Sequence, residues 1–123
     1  MKLTQLALCV ITVATTAFTT PVTAQSLLPQ DFAFLEGVNK RLDPLLSVSD
    51  QQKMADGRTV CQQLKTGQVL GDLIAEDFHS LKQQPFTVQQ PTLRYYRAVK
   101  EYGIRSYCPE FSYQWRTWYN ALL

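Results

Sequence analysis

VCQQLKTG at residues 60–67 and YCP at residues 107–109 decide the fold, because these two stretches carry Cys61 and Cys108. The only other cysteine is Cys9, which lies in an apolar N-terminal segment. Cysteine pairs of exported proteins form lasting disulfides in oxidising compartments. We therefore predict one disulfide between Cys61 and Cys108. The alternative, a metal-binding or catalytic thiol pair, needs further ligands that the sequence does not offer.

The N-terminus has the residue order of a secretory signal. Lys2 precedes an apolar run over residues 6–18, and a segment of small residues ends at Ala24. This order predicts cleavage after Ala24 and a secreted or periplasmic protein. The apolar run is interrupted by threonines and short for a bilayer, which disfavours a retained membrane anchor. We predict a signal peptide over residues 1–24, a flexible lead-in over 25–30 and one helical domain over 31–123.

The composition is that of one small globular domain, with 46% apolar and 18% charged residues in 123. The formal charge is +2, and loss of Lys2 with a signal peptide leaves 11 basic against 10 acidic residues. This near balance gives no electrostatic reason to expect nucleic acid or anionic lipid as the main partner.

Two helices are predicted before Gly67. The first begins at Asp31, carries an apolar stripe and ends before Pro44. The second begins after Ser49, which has a glutamine three residues on, as in a capping box. Gly67 suits the left-handed position that follows a helix end.

Two further helices are predicted before Cys108. The third covers residues 68–81, and Asp77 conflicts with its apolar stripe. The fourth begins at Pro91, where a missing N–H costs nothing, and residues 87–90 form a polar link before it. Gly103 weakens this helix, which points to a close contact with another helix.

The segment after Pro109 is rich in aromatic residues. Phe111, Trp115, Trp118 and Leu122 recur at helical spacing and predict a short terminal helix on the bundle. The predicted fold is therefore all-α: a small bundle of about four helices plus a short C-terminal helix, with one disulfide.

The two cysteine stretches resemble motifs of a secreted bacterial family, the domain of unknown function 732. GRTVCQQLKTG at residues 57–67 is similar to its G-x-x-V-C-x-x-L-x-x-G, and GIRSYCP at 103–109 is similar to its A-V-x-x-Y-C-P. With Phe34 and Leu35 the resemblance covers residues 31–110. It implies a small exported helical domain with one disulfide and brings no activity. Gly103 stands where the family usually has alanine.

The fourth helix offers a speculative ligand site. Tyr95 and Tyr102 lie two turns apart on one side of it, and with Trp115 and Trp118 they suggest a pocket for a flat ligand. A tyrosine phenolate is one ligand for haem iron, so a haem carrier is the alternative function. The simpler interpretation is that these aromatic side chains pack together.

Two other groups of polar residues have the spacing of a possible site. Asp72, Glu76 and His79 share a polar helix face, but this group faces outward and lacks the second histidine and the inward carboxylates of di-metal bundles. Four arginines near the aromatic segment suggest a basic patch, for which a solvated, salt-bridged surface is the simpler interpretation. These arginines are Arg94, Arg97, Arg105 and Arg116.

The sequence contains no recognisable catalytic constellation. It has one histidine, no glycine-rich phosphate loop and no free thiol once Cys61 and Cys108 are paired. We therefore predict that the protein is not an enzyme, has no metal site and has no cofactor. The predicted function is that of a binding or structural module of the cell envelope, whose partner is an envelope protein or a small ligand.

Overall fold

The fold was analysed in a computed structural model that describes residues 27–122. Its helices are α1 (Pro29–Arg41), α2 (Asp50–Lys65), α3 (Leu70–Leu81), α4 (Phe86–Tyr107) and α5 (Ser112–Ala121), with a 3₁₀ turn at Pro109–Phe111. The predicted all-α bundle with a short C-terminal helix is confirmed. The predicted signal peptide lies outside the described residues. No helix within 27–122 has the length and apolarity needed to cross a membrane.

The sequence signals at the helix ends act locally. The Ser49 hydroxyl accepts a hydrogen bond from the Gln52 N–H at 3.1 Å, as predicted, while the Gln52 side chain donates to Asp56 instead of completing the capping box. Gly67 has a φ of 104°, the left-handed conformation predicted for it. Helix α1 begins at Pro29, two residues before the predicted start.

Helix α4 begins five residues earlier than predicted. Residues 87–90 are its first turn and not a polar link, and the Val88 N–H already donates to the Pro85 carbonyl at 3.0 Å. Pro85 fixes the extended conformation that precedes the helix. Pro91 therefore lies inside α4, where it removes one hydrogen bond close to the N-terminus. Such a loss is small beside the packing of the long helix that follows.

Helix α4 is the centre of the bundle and packs against α1, α2, α3 and α5. It meets α2 most closely where Gly103 faces Gly57. A Cβ added to Gly103 would lie 3.1 Å from the Gly57 carbonyl oxygen, so the predicted close helix contact is confirmed. The core around this crossing is formed by aliphatic and aromatic side chains from four helices, among them Phe34, Val38, Val60, Leu64, Leu73, Ile74, Val99 and Ile104.

The predicted disulfide is present. Cys61 of α2 and Cys108, the residue after α4, are joined with their Cα atoms 5.8 Å apart. Both residues are buried in the core, and 47 positions separate them in sequence. The bond therefore ties the second helix to the exact end of the central one, where the chain turns towards α5.

Two positions depart from a single apolar stripe on each helix. Glu101 of α4 is charged but only 7% exposed, whereas Phe78 of α3 is apolar but 44% exposed. Asp77 is paired with Lys100 of α4 at 2.6 Å. Because α4 is surrounded on several sides, its buried surface includes positions that a one-sided wheel assigns to solvent.

Candidate functional site

A groove lies where α5 crosses the end of the bundle near α1 and α4. We call it the arginine–tryptophan groove, and its volume is about 490 Å³. This volume is within the range of small-ligand sites. Its walls are formed by Arg41 of α1, by Arg97, Glu101 and Arg105 of α4, and by Trp115, Arg116, Trp118, Tyr119, Asn120 and Leu122 of the C-terminal segment.

The position of α5 follows from the chain reversal after Cys108. Pro109 ends α4, and the Phe111 N–H donates to the Cys108 carbonyl at 2.9 Å within the 3₁₀ turn. Further along, the side-chain oxygen of Gln114 accepts a hydrogen bond from the Leu70 N–H at 2.8 Å, at the start of α3. This bond satisfies one of the unpaired donors of that helix terminus and holds α5 across the bundle.

Among residues 27–122, four guanidinium groups and a single carboxylate line the groove. Glu101 is paired with Arg41 at 3.2 Å and with Arg105 at 2.8 Å. The second pair spans four residues of α4, the spacing at which side chains on one face of a helix meet. One carboxylate offsets one of the four positive charges, so the lining has a net formal charge of +3. This charge favours an anion in the groove.

Arg97 and Arg116 have no carboxylate within 4.0 Å in the part of the chain that the structure describes. The Arg97 guanidinium lies instead between two rings, 5.6 Å from the centroid of Trp118 and 5.9 Å from that of Phe78. Its Nε is buried and has no hydrogen-bond partner. Stacking on rings orients this guanidinium, and the carboxylate that acts on its charge, Asp77, is in direct contact with Lys100 instead.

The aromatic wall contains both tryptophans of the sequence. The Trp115 and Trp118 rings are 5.2 Å apart between centroids, with an angle of 42° between their planes. Tyr119 is 50% exposed and lies beside them in the lining. The groove thus combines planar aromatic surface with uncompensated positive charge.

The structure brings together only half of the predicted ligand residues. Trp115 and Trp118 line the groove, but Tyr95 and Tyr102 do not. Tyr95 is buried, and its hydroxyl donates to Asp56 at 2.6 Å. Burial, followed by this contact with a carboxylate, raises the pKa of the Tyr95 phenol. The phenolate that haem ligation by Tyr95 would use is therefore disfavoured.

Tyr102 supports the wall of the groove from behind. Its ring centroid is 5.4 Å from the Arg41 guanidinium and 5.3 Å from that of Arg105, and its hydroxyl accepts a hydrogen bond from Arg41 at 3.4 Å. Tyr102 itself fits against Gly37, where a Cβ would overlap the ring. This side chain therefore positions two arginines and has no place in the ligand pocket.

The predicted basic patch is found in part. Arg97, Arg105 and Arg116 line the groove, whereas Arg94 lies elsewhere and is paired with Asp43 at 3.6 Å. Sequence reasoning missed Arg41, which belongs to α1 and lies 56 residues before Arg97 in the chain. No sequence pattern links these two positions, because only the packing of α1 on α4 brings them together.

The outward acidic face of α3 is solvated, as expected for a charged helix surface. Asp72, Glu76 and His79 are all exposed. Among residues 27–122, no three side chains of histidine, cysteine, aspartate or glutamate are grouped so that they could hold a metal ion.

A second polar cluster joins the beginning of α1 to α2 and α4. Asp31 is fully buried and accepts hydrogen bonds from the Tyr107 hydroxyl at 2.5 Å, the Arg58 guanidinium at 2.6 Å and the Leu28 N–H at 2.9 Å. Burial alone would raise the pKa of Asp31, but these three donors outweigh it and lower the pKa below its usual value. This carboxylate therefore has a structural role.

The chain matches no protein-family model, no curated protein and no solved structure. The resemblance of its two cysteine motifs to the secreted bacterial family therefore stays a prediction.

Proposed function

We propose that the protein is an exported binding module whose ligand is an anion held in the arginine–tryptophan groove. The observation that carries this proposal is a groove that four arginines, one carboxylate and both tryptophans line together. Arginine is the side chain best suited to carboxylate and phosphate, because its planar donors match the geometry of these anions.

The charge balance of the groove supports binding better than catalysis. Glu101 is the one carboxylate in the lining and is already paired with Arg41 and Arg105. One oxygen of Glu101 contacts Arg41 and the other contacts Arg105, so this side chain is engaged in holding the wall of the groove. The remaining two arginines offer positive charge and hydrogen-bond donors, which are properties of a binding site.

Export is the second half of the proposal. It is supported by the secretory order of residues 1–24, and the Cys61–Cys108 disulfide is consistent with an oxidising compartment. The motif resemblance points in the same direction, to a secreted family of small helical domains. A cell-envelope protein of this size acts most simply by holding a ligand or partner.

Tryptophan fluorescence provides the test, because both tryptophans of the chain line the groove. We expect inorganic pyrophosphate, titrated into the oxidised protein at low ionic strength, to change the emission in a saturable way. Added salt should weaken this binding, since exposed charges are screened. Replacing both Arg97 and Arg116 with glutamine should weaken it by about tenfold or more, because a hydrogen bond to a charged group contributes roughly 1.5 to 3 kcal/mol.

Arg94→Gln is the matched control. Arg94 is on the same helix as Arg97 and is exposed, but it does not line the groove. This variant should bind pyrophosphate as the wild type does. Emission that does not respond to pyrophosphate, or equal losses in the Arg94 variant and the double variant, would show that the groove is not an anion site.

A further inference from the structure

We infer that the ligand of the groove is an aromatic anion, whose oxyanion lies on Arg97 and Arg116 and whose ring lies on Trp115 and Tyr119. This inference rests on the proposed function and specifies the chemical class of its ligand. It follows from how the arginines are divided, from the size of the groove and from the nature of its apolar surface.

The arginines of the groove fall into two pairs. Arg41 and Arg105 share Glu101 and are both in contact with the Tyr102 ring, so they form a fixed wall. Arg97 and Arg116 have no such carboxylate partner among residues 27–122. The oxyanion of a ligand therefore gains most from Arg97 and Arg116, because neither of them is already in direct contact with a carboxylate of these residues.

The groove has room for more than an oxyanion. A volume of about 490 Å³ far exceeds what a single phosphate or carboxylate fills. A ligand that used only the arginines would leave the aromatic wall in contact with water. The class of ligand that uses the whole groove has an apolar body attached to its charged group.

The apolar surface of the groove is made mainly of rings. Trp115, Trp118 and Tyr119 line it, and Leu122 is the single large aliphatic side chain beside them. The Arg97 guanidinium already lies over Trp118 at 5.6 Å, which leaves Trp115 and Tyr119 as the surfaces for a further planar group. Aromatic pairs gain an attraction beyond the area they bury, so a flat ring is favoured over an aliphatic body of similar size.

Isothermal titration calorimetry on the oxidised protein separates the two parts of the ligand. The probes are 2-naphthoate, cyclohexanecarboxylate, acetate and the neutral 2-naphthylmethanol. We expect 2-naphthoate to bind about tenfold or more tightly than either aliphatic carboxylate and than the neutral alcohol, a ratio that corresponds to about 1.4 kcal/mol.

Each other outcome has a distinct meaning. Equal binding of 2-naphthoate and cyclohexanecarboxylate would overturn the aromatic inference and leave the anion site in place. Equal binding of 2-naphthoate and 2-naphthylmethanol would overturn the anion site itself. Binding of none of the four probes would overturn both.

Two exposed tyrosines of α5 provide a matched pair of variants. Tyr119 lines the groove and Tyr113 does not, and each is about half exposed. Tyr119→Leu should remove most of the preference for 2-naphthoate over cyclohexanecarboxylate while acetate binding is kept. Tyr113→Leu should keep the preference. If both variants keep it, the ring of the ligand does not lie on Tyr119 and the inference is wrong.

Discussion

Replacing Gly57 with alanine should destabilise the protein, although alanine is the better helix former. An alanine Cβ at this position would lie 2.6 Å from Cε1 and 2.7 Å from Cζ of Phe34. Phe34 is fully buried, and its ring packs on Tyr107 with centroids 5.2 Å apart. The ring has no space to move away, and on this side of α2 the backbone also faces Gly103.

The size of the effect is a difference of two opposing contributions. Alanine in a helix interior gains about 1 kcal/mol over glycine. Forcing an extra methyl group into a filled core costs typically about 1 to 3 kcal/mol, and the short distances to Phe34 put this site near the upper end. The expected net loss in the free energy of unfolding is about 1 to 2 kcal/mol. Each kcal/mol lowers the Tm of a domain of this size by roughly 4 to 8 °C.

Thermal unfolding followed by circular dichroism measures this loss, with Gly71→Ala as the control. Gly71 is an exposed residue of α3, and a Cβ added there would have no neighbour within 4 Å. Gly71→Ala should therefore raise stability by about 0.4 to 1 kcal/mol, since only the entropy of the unfolded chain changes. If Gly57→Ala raised Tm as Gly71→Ala does, the close packing of the Phe34 ring against Gly57 would be refuted.

Three further predictions concern the bonds that hold the bundle. Cys61→Ser opens a closed loop of 47 residues and should lower the free energy of unfolding by about 4 kcal/mol in urea titrations, and a loss under about 1 kcal/mol would contradict the role of the disulfide. Because the folded pKa of Asp31 is lowered, its contribution to stability is present above the ordinary aspartate pKa of about 3.9 and is lost as the pH falls below it. The urea midpoint of Asp31→Asn should therefore fall less than that of the wild type as the pH is lowered into the acid range. An equal fall in both proteins would refute the contribution of ionised Asp31 to stability. Lys100→Met leaves Asp77, whose side chain is 14% exposed, without its partner and should lower the free energy of unfolding by about 3 kcal/mol, the lower end of the cost for a buried pair. The added change Asp77→Leu should restore most of this loss, and a double variant as unstable as the single one would contradict the prediction.

The helix ends were predictable because their causes are local. Ser49 and Gly67 act through their own side chain or backbone within a few residues, and Pro109 disfavours the helical conformation of Cys108, the residue before it. The disulfide was predictable because Cys61 and Cys108 are the two cysteines that remain once the N-terminal segment is set aside. The start of α4 was not predictable in this way, because Pro91 is as compatible with the second turn of a long, well-packed helix as with the first.

The candidate site was predictable only in its aromatic half. Trp115 and Trp118 follow each other on one helix, so their spacing places them on one side of it. The charged half depends on packing between segments that are distant in sequence. Arg41 of α1 pairs with Glu101 of α4, and Glu101 is buried because several helices surround α4. A helical wheel describes one helix at a time and does not contain this information.

The nuclear magnetic resonance signals of the two indole N–H groups test the central claim most directly. Both tryptophans lie in the groove, so each signal reports on the proposed anion site. The probe is phenyl phosphate, which combines an oxyanion with a ring. Both indole signals should shift and saturate together, while the amide signal of the exposed Phe86, at the start of α4, should not move. Unchanged indole signals at saturating phenyl phosphate, or shifts confined to the surroundings of Phe86, would contradict the assignment of the groove as the binding site.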